Sequence, residues 1–87
     1  MTYRVPSHVY HRVLHNEVIL LDSQTDAYLG LNQTAATVWA VLAEGGTTTT
    51  AVDALVTRFN VRPEHAESDV AELIADLLAR GLLVASP

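Results

Sequence analysis

The chain has 87 residues, 49% of them apolar, and no cysteine. That length suits one domain near the lower size at which a single core suffices, and the missing cysteines remove disulfides, thiolate catalysis and thiolate metal sites. Ten carboxylates against five arginines, with no lysine, give a net charge of −5, which disfavours nucleic acid and anionic membranes as partners because both require clustered positive charge.

No apolar run approaches the roughly 18 residues of a membrane span. The opening Met1-Thr2-Tyr3-Arg4-Val5-Pro6 lacks a charged-then-apolar signal pattern, so the expected placement is cytoplasmic. The expected organisation is one domain over 1–87: an N-terminal arm (1–7), a sheet (8–31), then three helices and a short tail (32–84).

Val9 to Leu14 reads as a first strand and Glu17 to Asp22 as a second, with His15-Asn16 as a tight turn between them. Val18 to Leu21 is apolar on both faces, the pattern of a central strand. After the Ser23-Gln24-Thr25 turn, Asp26 to Leu31 alternates: Ala27, Leu29 and Leu31 share one face, and Asp26, Tyr28 and Gly30 the other. Three short strands with short connections predict an antiparallel meander.

The third strand runs straight into a helix over about Gln33 to Glu44, with apolar positions at Ala35, Val38, Trp39 and Leu42. Asn32 at the junction is placed to cap it, and Gly45-Gly46 to close it. A second helix starts in the run Thr47 to Thr50; Thr50 with Asp53 has capping-box spacing, and Thr49 is the alternative cap. Its apolar stripe is Val52, Leu55, Val56 and Phe59. Pro63 fits the first position of a third helix, residues 63–80, preceded by Arg62, a poor cap. The predicted buried side of that helix is Val70, Leu73, Ile74, Leu77 and Leu78, and Gly81 stops it. Strands first and helices after make an α+β domain with the general plan of a winged helix-turn-helix.

Few side-chain groupings suggest chemistry. His8, His11 and His15 look like a metal cluster, but strand residues four apart are separated by roughly 13 Å, too far for one ion. No metal and no cofactor is expected. Ser7, Ser23, Ser68 and Ser86 lack a nucleophile-elbow setting, and no glycine-rich loop precedes a helix; the chain does not read as an enzyme. A winged-helix DNA-binding regulator is the alternative reading. Its recognition helix would carry Glu64, Glu67, Asp69, Glu72 and Asp76 against Arg80 alone, and phosphate contacts need cations.

The remaining candidate is a strand edge. If the outer side of Asp26 to Leu31 is unpaired, it is a template for an added peptide strand. Gly30 offers an incoming strand no obstruction, and Tyr28 offers a flat platform. Four or five backbone hydrogen bonds at about 1 kcal/mol each roughly offset the cost of ordering a peptide, so apolar anchors and a wall to hold them are also needed. The third helix is the expected wall: Val70, Leu73 and Leu77 as apolar surface, with Asp69, Asp76 and Arg80 at its rim. An acidic wall favours a peptide carrying Arg or Lys near its anchors.

The ordered set Glu17-Val18-Ile19-Leu20-Leu21-Asp22, Tyr28-Leu29-Gly30-Leu31-Asn32, Val38-Trp39, Asp69-Val70, Leu77 and Gly81-Leu82 resembles the PqqD-like family. These are the leader-recognition domains of ribosomally synthesised, post-translationally modified peptides (RiPP recognition elements). The resemblance implies a winged-helix-like fold of three strands and three helices, with a precursor's leader added as a strand to the third strand beside the third helix. In length the chain is most similar to the stand-alone leader-binding partner of lasso-peptide biosynthesis. That likeness implies a separate leader-removing cysteine protease and an ATP-dependent cyclase as partners. The free edge is also suited to edge-to-edge homodimerisation. Two departures from the family pattern are Asp26-Ala27, where Gly and a basic residue are common, and Ala35, where Gly is common.

Overall fold

A computed structural model describes residues 2–15 and 17–86. In chain order it contains β1 (Thr2–Arg4), β2 (Val9–Leu14), β3 (Glu17–Asp22), β4 (Tyr28–Leu31), α1 (Gln33–Ala43), α2 (Thr48–Phe59), α3 (Pro63–Ala79) and β5 (Val84–Ser86). The α+β order is as expected, and the three-stranded meander β2-β3-β4 is antiparallel with β3 in the centre. His15 has a left-handed backbone (φ 57°) after β2; Asn16, its expected turn partner, lies outside the described residues.

Strand alternation sorts the sheet into two faces. Val18 and Leu20 of β3 and Leu31 of β4 are buried against the helices. Ile19 and Leu21 project the other way, and register sets them beside Tyr10, Arg12, Tyr28 and Gly30. That outer face is open: Tyr10, Leu21 and Tyr28 are exposed. β3 is thus central in hydrogen bonding but covered on one side only.

The N-terminal arm and the C-terminal tail pair with each other, a partnership the sequence signals did not include. β1 pairs antiparallel with β5, Tyr3 opposite Ala85, and Thr2 bridges to Thr47 at the start of α2. These two segments pair with each other and not with the meander.

Local chemistry fixes the helix ends. Asn32 caps α1, its side-chain oxygen accepting from the Ala35 N–H at 2.9 Å. Gly45 closes α1 with φ 90°, and a Cβ on Gly46 would sit 2.7 Å from the Val41 carbonyl oxygen. The cap of α2 is Thr47, not Thr49 or Thr50: Thr47 and Thr50 each accept from the other's backbone N–H. In a run of four threonines, spacing alone does not choose the cap, and the bridge to Thr2 holds Thr47 extended. Pro63 opens α3 behind Arg62, which makes no side-chain cap.

The core joins the inner sheet face to all three helices through Leu20, Trp39, Leu42, Leu55, Val70 and Leu77, each 2% exposed or less. His11, inward on β2, meets Trp39 edge-on at 6.4 Å. The α3 stripe is shifted from the expected one. Ala66, Val70, Ile74 and Leu77 are buried, Leu73 is half-buried, and Leu78 is 38% exposed. Ala66 extends the buried line at the start of the helix, and Leu78 lies to one side of that line, toward solvent.

Candidate peptide-binding site

The site begins at the turn that launches β4. Asp22 is buried at the end of β3, and its carboxylate accepts from the backbone N–H groups of Gln24 (2.9 Å) and Thr25 (3.3 Å). The Asp26 N–H donates to the Asp22 carbonyl (2.8 Å), and Asp26 itself takes a left-handed backbone, φ 61°, which a short polar side chain tolerates. Asp26 and Ala27 therefore belong to the turn, and the strand is four residues long, Tyr28–Leu31.

Paired residues in an antiparallel ladder alternate between exchanging hydrogen bonds and facing away. The Asp22 N–H donates to the Ala27 carbonyl at 2.9 Å. In register with that bond, Leu20–Leu29 and Val18–Leu31 are the bonded pairs. The N–H and C=O groups of Tyr28 and Gly30 consequently point outward from β4. Among the described residues no strand pairs with that side. A Cβ on Gly30 would meet nothing within 4 Å, and Tyr28 is 76% exposed. The edge is both unpaired and sterically open.

Two clefts lie at the two ends of this edge. One, of about 550 Å³, has apolar surface from the half-buried Ala35 and Leu73 over a floor of buried Val38 and Leu55, and Asn32 just past the strand is part of its wall. Its charged residues are Asp69, Glu72 and Asp76. The other, of about 190 Å³, is bounded by Asp22, Thr25, Ala27, Tyr28, Leu29, Leu82 and Arg80. Arg80 donates to Asp76 at 3.0 Å, so an ion pair one helical turn long separates the clefts.

These positions revise the expected site list. Leu73 is the apolar wall residue. Val70 and Leu77 are fully buried in the core and present no surface to a ligand. Asp69 and Asp76 line the larger cleft and Arg80 the smaller one. Ala35, Val38, Leu55 and Glu72 were not singled out for the site; the strand-into-helix junction at Asn32 is the signal that places α1 beside the edge. Among the described residues no group of three His, Cys, Asp or Glu side chains could hold a metal ion. No helix among the described residues is long and apolar enough to cross a membrane.

The family model for coenzyme PQQ synthesis protein D matches residues 17–83. The chain belongs to the PqqD family. The matched span runs from β3 through the edge strand and past the end of α3, so the residues lining both clefts all lie within it. Among curated proteins none matches. Two solved structures are similar along nearly the whole chain. TbiB1 in complex with the TbiA(beta) leader peptide has a TM-score of 0.88 at 27% identity, with 97% of this chain and 98% of that one covered. A lasso peptide synthetase B1 complexed with the leader peptide has a TM-score of 0.89 at 25% identity, covering 98% and 100%. This chain thus has the PqqD-family fold with its edge strand open.

Proposed function

We propose that this chain is a non-catalytic adaptor that binds the leader of a ribosomally synthesised precursor, of the lasso-peptide kind, by strand addition to β4. The observation that carries this reading is the outward-facing, unpaired edge at Tyr28 and Gly30 with a cleft at either end. It is supported by two similar structures, both complexes with leader peptides. Backbone pairing supplies sequence-tolerant contacts, and the clefts accept the side chains of alternate residues. Asp26 and Ala27 set the start of the edge, Tyr28 and Gly30 pair, and Leu29 and Leu73 supply apolar surface, while Leu31 is buried in the core. Asp69, Asp76 and Arg80 form the rim.

In this reading the adaptor holds the leader for a separate cysteine protease and an ATP-dependent cyclase. A second copy is a competing occupant of the same edge, so an edge-to-edge homodimer belongs to the free state only. The DNA-binding alternative is disfavoured by the five carboxylates of α3, which repel phosphate. The test is fluorescence anisotropy with a labelled lasso-precursor leader peptide, in parallel with a DNA shift assay. Saturable leader binding without a DNA shift is expected; salt-dependent DNA binding without leader binding would overturn the assignment.

A further inference from the structure

The two ends of the β4 edge differ in chemistry, and the difference fixes the direction and side-chain order of the occupant. The following rests on the strand-addition reading above. The larger cleft adjoins the C-terminal end of β4, at Asn32, and carries three carboxylates and no cation. Asp76 is paired with Arg80, whereas Asp69 and Glu72 have no ion-pair partner among the described residues. The smaller cleft adjoins the N-terminal end, at Ala27 and Tyr28, where Leu29 and Leu82 offer apolar surface and Arg80 stands at the boundary. Asp22 also lines this smaller cleft, so a cationic side chain is attracted at the first end and meets one carboxylate and one paired guanidinium at the second.

Strand geometry converts this into a sequence rule. The sheet is antiparallel throughout, and an antiparallel addition continues it with the better hydrogen-bond geometry. The N-terminal part of such a peptide lies beside Leu31 and Asn32, and its C-terminal part beside Tyr28. Side chains entering the groove come from alternate residues, and the two clefts are one or two such steps apart along β4.

We propose that the groove selects a peptide with a basic residue in the α3 cleft and, two or four residues C-terminal to it, an aliphatic residue in the cleft at Leu29 and Leu82. Leu73 supplies the apolar surface along which the stem of the basic side chain lies, a usual arrangement for long cationic side chains. Asp69 and Glu72 are selectivity residues: they set which peptide binds and leave the backbone pairing unchanged.

The experiment is selection of a random twelve-residue displayed peptide library on the folded protein, with a folded Gly30→Pro variant as the reference for edge-dependent binding. Enriched sequences are expected to place Arg or Lys two or four positions before Leu, Ile or Val. A synthetic peptide of the enriched type should bind the Asp69→Asn/Glu72→Gln protein about three- to tenfold more weakly, a modest loss because both carboxylates are exposed and screened. Exchanging the basic and aliphatic residues within that peptide should weaken binding at least as much. Edge-dependent enrichment without a basic residue, or with the reverse order, overturns this inference and leaves strand addition standing. No enrichment over Gly30→Pro overturns both.

Discussion

Replacing Gly30 by proline isolates the free edge from the rest of the fold. The Gly30 N–H points away from β3, so the imide removes an exterior donor and leaves the Leu20–Leu29 and Val18–Leu31 ladder bonds in place. A bound strand would lose one backbone hydrogen bond, about 0.5–1.5 kcal/mol net, and keep a carbonyl without its donor, about 1–3 kcal/mol if fully dry. Because the edge is solvent-facing, the combined loss is closer to 2 kcal/mol, or about 30-fold in affinity. Gly30→Ala is the matched control. Its Cβ enters open space, its N–H is retained, and its affinity should stay within about twofold. Forcing the strand dihedral to the proline value costs folding about 1 kcal/mol, a fall of about 4–8 °C in Tm for a domain this size. Anisotropy with a labelled leader measures affinity, and thermal denaturation followed by circular dichroism measures the fold. If Gly30→Pro binds the leader as tightly as Gly30→Ala, the outer side of β4 is not where the peptide pairs.

Five further substitutions separate the groove from the core, the α2 cap and the turn before β4. Leu73→Asp removes half-buried apolar surface from the cleft wall and adds a fourth carboxylate; leader affinity should fall at least about tenfold while the protein still melts cooperatively. Leu77→Ala, inside the core, should instead cost about 2–5 kcal/mol of stability and leave affinity per folded molecule unchanged, which denaturant titration with binding measured below the transition will show. Thr47→Ala removes the α2 cap and should cost about 0.5–2 kcal/mol, whereas Thr49→Ala, measured the same way, should stay within about 0.5 kcal/mol. Asp22→Ala strands two backbone N–H groups in the turn before β4, so it should lower stability by about 1–3 kcal/mol and also weaken leader binding, because the start of the edge loses its anchor.

The sequence declared those parts of the fold that are settled by neighbouring residues. The alternation at Tyr28 to Leu31, the Asn32 cap three residues from the Ala35 N–H, and Pro63 at the head of α3 are local rules, and each holds. Pairing of Thr2–Arg4 with Val84–Ser86 joins segments some eighty residues apart, and neither has enough alternation to announce a strand. The α3 stripe was legible as a stripe, but its rotation was not. Positions 70, 73, 74, 77 and 78 cover too wide an arc to face one core, and only packing against α2 and α1 decides that Leu73 borders the groove while Val70 and Leu77 vanish beneath it. Hence the edge strand and the carboxylates along α3 could be read in advance, and the share of α1 and α2 in the larger cleft could not.

Hydrogen exchange at four backbone amides tests the central claim most directly. In the free protein the Leu29 and Leu31 N–H groups, bonded to β3, should exchange slowly, and those of Tyr28 and Gly30 should exchange at nearly the rate of an open chain. Saturation with the leader should slow Tyr28 and Gly30 by at least about tenfold, as a new ladder bond forms at each. Unchanged exchange at Tyr28 and Gly30 in a leader-saturated sample would place the peptide elsewhere on the molecule.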